Sequence, residues 1–93
     1  MRVHLIAIGG AVMHNLAMAM QKKGFIVSGS DDDILSPSKE RLISAGLYLK
    51  SLGWNLDQIT NELDLVILGM HARKDNPELL KALKLGLQVQ SFP

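Results

Sequence analysis

Gly9-Gly10 is the first pair in the chain whose type and place could do chemistry. It follows a short apolar run and precedes a stretch with helical spacing. Glycine at such a turn lets the backbone approach a phosphate, and the free N–H groups of a helix N-terminus attract an anion. The surroundings depart from G-x-G-x-x-G, because Ala7 and Val12 stand at the outer positions. Two readings stay open: a phosphate cradle, or a tight strand-to-helix turn with no ligand. Asp31 lies 31 − 9 = 22 residues after Gly9, at the end of the next apolar run. An acidic side chain there can accept hydrogen bonds from ribose hydroxyls. No arginine follows closely, so a 2′-phosphate is not invited. The plainer reading makes Asp31, Asp32 and Asp33 a solvated turn.

A third group is Met70-His71-Ala72-Arg73. Arg73 could meet a phosphate or carboxylate, or stand as a solvated loop charge. His71 could donate to a sugar or phosphate, or simply be exposed. His4, His14 and His71 lack a metal-ligand spacing, so no metal is expected. The chain has no G-x-x-x-x-G-K-[ST] loop for ATP and no Ser/His/Asp arrangement. Without a catalytic set, the residues describe a binding module. Trp54 and Tyr48 are expected as packing residues at the sheet edge, and His4 as a satisfied edge residue. Met13, Met18, Met20 and Met70 need no cofactor explanation.

The elements that must position these residues follow from periodicity. Residues 3–8 form a nearly continuous apolar run, which suggests a strand buried on both faces. Val12, Leu16 and Met20 then recur at i, i+4 and i+8, with Met13 and Ala17 beside them, while His14, Asn15, Gln21 and Lys22 take other faces. This predicts an amphipathic helix that stops at Gly24. Phe25 opens a second strand, ending near Ser30. Ser36-Pro37 reads as an N-cap and a first helical proline, for a helix that ends at Gly46. Residues 47–49 suggest a short third strand, and Asn55 a capped turn through Ile59. Residues 63–68 are a clear strand. Asn76-Pro77-Glu78 starts a helix carrying Leu79, Leu80 and Leu83, and residues 87–89 a last strand.

That order predicts an α/β fold: a Rossmann-like, doubly wound parallel sheet of about five strands with helices on both faces. Ligands in such sheets bind at the carboxyl ends of the strands. Three loops should meet there: residues 9–13, 30–36 and 69–76.

Composition bounds the function. Ninety-three residues make one small domain, and 47% hydrophobic with 20% charged residues is an ordinary globular balance. Lys plus Arg is 10 and Asp plus Glu is 9, a net charge of +1. Such a chain offers no electrostatic case for nucleic acid or an anionic membrane. The absence of cysteine excludes disulfides and thiolate chemistry. Neither a signal peptide nor a membrane span is visible, so a cytoplasmic location is expected.

Several of these segments also resemble a known family. Residues 3–13, ending Gly9-Gly10-Ala11-Val12-Met13, resemble the opening of the Mur ligases, which work on UDP-N-acetylmuramate and begin with a strand and a Gly-Gly-x-x-Met turn. Val27-Ser28-Gly29-Ser30-Asp31 is similar to their second strand, ending in Gly-Ser-Asp. Residues 65–69, with Asn76-Pro77-Glu78, resemble their later strand and Asn-Pro-Glu helix start. Ala7 stands where a glycine is common. Within the family, the likeness leans to members that join an amino acid or a peptide to UDP-N-acetylmuramate, and the residue 68–73 loop leans to the peptide-joining ones.

The resemblance implies a UDP-sugar-binding N-terminal domain spanning residues 1–93. Gly9, Gly10, Ala11, Val12 and Met13 would hold the diphosphate, with Ser30, Asp31 and Asp32 by the uridine and His71 and Arg73 on the third side. It also implies that this is a fragment of a three-domain, ATP- and Mg²⁺-dependent ligase whose catalytic parts lie in absent central and C-terminal domains. The residues by themselves leave two alternatives: a stand-alone NAD-binding or regulatory module, and a purely structural domain.

Overall fold

Among 93 residues, the computed structural model describes 1–47, 52–70 and 72–92. The elements are β1 (Arg2–Ile6), α1 (Ala11–Lys22), β2 (Ile26–Ser30), α2 (Ser38–Ser44), a 3₁₀ turn (Leu56–Gln58), β3 (Leu65–Gly69), α3 (Pro77–Lys84) and β4 (Val89–Phe92). The strands form one parallel sheet in the order β2-β1-β3-β4. The sheet grows from β1 to β2 in one direction and then from β1 to β3 in the other. The order therefore reverses beside β1, and its carboxyl end is the switch point where such sheets take ligands.

Alternation along the central strands builds a core on each face. Val3 and Leu5 of β1 and Ile67 of β3 pack with Met13 and Ala17 of α1, Leu42 of α2, and Ile8 and Ile34. Ile6 and Val66 face the other way, against Leu79 and Ala82 of α3 and Ile59. β1 is thus buried on both faces, as its apolar run predicts, and the helices lie on both sides of the sheet.

The described residues give four strands rather than about five. The expected strand at residues 47–49 fails at its first residue, because the Leu47 N–H donates to the Leu42 carbonyl at 2.8 Å and closes α2. Residues 48–51, Tyr48 among them, lie outside the described residues. The last strand is displaced for the same reason. Leu87 donates to the Ala82 carbonyl at 3.0 Å, so β4 starts only at Val89. In both places the preceding glycine takes a positive φ (73° at Gly46, 75° at Gly86), the usual way to finish a helix.

Three further expectations change. β1 ends at Ile6 instead of Ile8, because Ala7 turns to φ 69° and the Ala7 and Ile8 N–H groups both donate to the Ser30 carbonyl, at 2.8 and 3.0 Å. α2 starts one residue later than expected, and the Ser36 hydroxyl donates to Glu40 at 2.6 Å instead of capping the helix. His14, placed on a polar face by its type, is 2% exposed and sits between α1 and α2. Its Nδ1 donates to the Gly10 carbonyl at 2.9 Å, and its Nε2 accepts from Arg41 at 3.3 Å.

Candidate functional site

The loops that follow β1, β2 and β3 enclose a cavity of about 650 Å³. Its wall is built from Gly9 to Met13, Asp31 to Asp33, and Gly69, Met70, Ala72, Arg73 and Asp75 to Pro77, with Ala7, Trp54 and Leu35. The size suits a small nucleotide-like ligand. All three loops expected to converge meet here, together with Trp54, which lines the cavity as well as packing against the core.

Gly9, Gly10, Ala11, Val12 and Met13 all line the cavity, because α1 starts at its edge. The N-cap is Gly10, with extended backbone (φ −61°, ψ 156°), no side-chain cap, and no acidic residue in the first turn. The first N–H groups of a helix have no partner within it. At α1 no side chain caps them and the first turn carries no acidic residue, and Ala11, Val12 and Met13, which carry them, line the cavity. α3 shows the contrast. Its cap Asn76 accepts from Glu78 N–H and Leu79 N–H at 2.9 and 3.2 Å, so that end is closed.

The two glycines differ. A Cβ at Gly9 would come within 2.9 Å of both Asp31 Oδ2 and Ile34, whereas at Gly10 its nearest neighbour would be 3.7 Å away. Gly9 is demanded by the fold, and Gly10 leaves the helix end open. The 22-residue spacing is itself a contact, for Gly9 N–H donates to Asp31 Oδ2 at 2.8 Å. Oδ1 of the same carboxylate accepts the Asp32 N–H at 2.8 Å. Asp31 thus fastens the loop after β2 to the glycine turn, with lone pairs left for a hydroxyl. Burial pushes its carboxyl above the usual aspartate value, against the lowering effect of the Gly9 N–H.

Of the other candidates, Asp32 lines the cavity and Ser30 does not. Ser30 is 3% exposed and donates to Glu78 Oε1 at 2.5 Å. Arg73 is exposed at the rim, where it pairs with Asp75 at 3.1 Å. His71 lies outside the described residues. No group of His, Asp or Glu able to hold a metal occurs among the described residues.

Sequence reasoning missed a buried cluster beneath this site. His4 and Glu78 are fully buried and 2.7 Å apart, Nε2 to Oε1. His4 Nδ1 meets Ser28 Oγ at 2.8 Å, and Asn55 N–H donates to Glu78 Oε2 at 2.8 Å. Burial opposes the Glu78 charge, yet the bonds from His4, Ser30 and Asn55 together hold its carboxyl below the usual glutamate value. His4 is no edge residue, since β1 is central. The partners are 74 positions apart, and no local pattern joins them.

Comparison with known proteins agrees with this architecture. The pattern described as "Mur ligase family, catalytic domain" matches residues 2–93. The UDP-N-acetylmuramate–L-alanine ligase of Carboxydothermus hydrogenoformans is 40% identical over 87 residues, which are 94% of this chain and 18% of that protein. The UDP-N-acetylmuramate–L-alanyl-gamma-D-glutamyl-meso-2,6-diaminoheptandioate ligase of Escherichia coli is 32% identical over 93 residues, all of this chain and 20% of that one. Among solved structures, the UDP-N-acetylmuramate-alanine ligase of Thermotoga maritima superposes with a TM-score of 0.81 at 28% identity, over 98% of this chain and 20% of that chain. The chain thus spans about a fifth of the length of the relatives it matches. With the family pattern running over nearly every residue and the parallel sheet shared with its solved members, the chain belongs to the Mur ligase family.

Proposed function

We propose that the cavity binds UDP-N-acetylmuramate, and that the whole protein is an ATP-dependent ligase that forms an amide bond on that substrate in peptidoglycan synthesis or recycling. The observation that carries the reading is the uncapped N-terminus of α1 opening on the cavity. In this reading its N–H groups, Ala11 to Met13, take the diphosphate. Asp31 and Asp32 stand near the ribose, and Arg73 exchanges Asp75 for the ligand at the rim. Ser30 acts from behind, through the buried cluster. His71 belongs to the third side by sequence position.

ATP and Mg²⁺ do not fit the residues present. The sequence has no P-loop, and the described residues hold no metal-binding group. Their sites are assigned to the central and C-terminal domains, and this chain alone should turn nothing over. No described helix is long and apolar enough to cross a membrane, and the proposed setting is the cytoplasm. Neither nucleic acid nor membrane is among the proposed partners.

Calorimetric titration with UDP-N-acetylmuramate tests the reading, and saturable binding is the expected result. No binding at millimolar ligand, or saturable binding of NADH without binding of the UDP-sugar, would sink it.

A further inference from the structure

Residues 52–55 bring Trp54 to the cavity and are fastened at two points. Gly53 N–H donates to the Asp31 carbonyl at 2.8 Å, and Asn55 N–H donates to Glu78 Oε2 at 2.8 Å. Trp54 stands between these bonds. It packs against the α3-side core and also lines the cavity. Glu78 lines no part of it and is 0% exposed.

We propose that Glu78 is a positioning residue of the binding site: its buried carboxylate holds the 52–55 segment by the Asn55 N–H and thereby sets where Trp54 stands in the cavity wall. A buried carboxylate must be well bonded to persist. Of the three donors on Glu78, His4 and Ser30 belong to the sheet, and only Asn55 belongs to the segment that brings Trp54 to the cavity. The donors also differ in kind. An imidazole nitrogen and a hydroxyl can either donate or accept, whereas a backbone N–H can only donate. An amide in place of the carboxylate can therefore turn its NH₂ toward His4 and Ser30 and keep its oxygen on Asn55. A shortened or truncated side chain cannot keep that bond.

Trp54 is the only tryptophan, so its emission reports on this segment directly. The inference rests on the nucleotide reading for its ligand arm alone, with UDP as the probe. In the ligand-free 93-residue chain, Glu78→Ala and Glu78→Asp should shift the Trp54 emission maximum to the red, while Glu78→Gln should restore it. In calorimetry, the first two should weaken UDP binding about tenfold, the equivalent of one hydrogen bond. Glu78→Gln, and His4→Gln, which disturbs the same cluster but spares the Asn55 bond, should stay within about twofold of wild type. Thermal unfolding shows which variants fold, and Glu78→Asp carries the test if Glu78→Ala does not. Unshifted emission, or unchanged UDP affinity, in a folded Glu78→Ala or Glu78→Asp chain overturns the proposal. So does an equal loss of affinity in His4→Gln, which would mark a merely structural cluster. A wild-type chain that fails to bind UDP while Glu78→Asp still shifts the emission refutes the nucleotide reading and leaves the positioning role standing.

Discussion

At the scale of single residues, the glycine turn separates what the fold needs from what a ligand needs. Gly9→Ala drives a methyl into Asp31 and Ile34, so either the loop after β2 or the turn must move. A loss of about 1–3 kcal/mol, the usual effect of overpacking, is expected in urea denaturation. Gly10→Ala meets nothing closer than 3.7 Å and should stay within about 1 kcal/mol. Equal effects at the two positions would contradict this division. Ala7 is the opposite case, a residue with a Cβ at φ 69°, where L side chains are strained. Ala7→Gly should gain about 0.5–1 kcal/mol by removing that strain, less the entropy a glycine adds to the unfolded chain. A lower urea midpoint for this variant would show that the Ala7 methyl contributes more in the cavity wall than it costs in the turn.

At the scale of elements, the chain's local signals and its long-range ones part company. The buried strand at residues 3–8, the helix after Gly10 and the Asn76-Pro77-Glu78 start are legible because each depends on neighbours within a few positions. Leu47 and Leu87 read as strand because apolar residues after glycine look the same whether they enter a sheet or close a helix. His4 and Glu78 were illegible for a stronger reason, as their pairing exists only once α3 packs on the sheet. The role of α1 yields a prediction in which two effects take opposite signs. Ala11→Glu adds a negative charge at the uncapped N-terminus, where the helix dipole favours it by about 0.3–1 kcal/mol. Stability should hold or rise slightly, while UDP affinity falls by repulsion from the diphosphate. Undiminished affinity would remove the α1 N-terminus from the anion site.

The link between β1 and α3 has its own pH signature. The Glu78 pKa is lowered by folding, so the native state holds that proton less tightly than the unfolded chain. Its contribution is complete above the ordinary glutamate range and is lost as pH falls through the lowered native value. Asp31 works the other way. Its raised pKa gives a contribution present at acid pH and lost as pH rises through the native value. Urea denaturation of wild type and Glu78→Gln isolates the first effect. Wild type should be the more stable at neutral pH, and its advantage should vanish in acid. An advantage independent of pH would show that the Glu78 charge is not what the cluster stabilises.

For the whole molecule, the cavity and the fold are one structure. Its walls come from the loops after three neighbouring strands, and those strands carry both cores. A ligand that fills the cavity holds together the turn after β1, the loop after β2 and the approach to α3, so it must favour the native state of the entire chain. At about a hundredfold excess over its dissociation constant it adds roughly 2.7 kcal/mol. In a domain of this size each kcal/mol moves the melting temperature by about 4–8 °C. UDP and UDP-N-acetylmuramate should therefore raise Tm by roughly 10–20 °C at that excess. ATP with Mg²⁺ should do so far less, since the P-loop that would receive it is absent from this sequence. Differential scanning calorimetry across these ligands separates the readings. A shift with the uridine nucleotides alone supports the substrate-binding role. A shift with NADH alone favours a dinucleotide module, and no shift with any nucleotide would leave a domain whose work is structural.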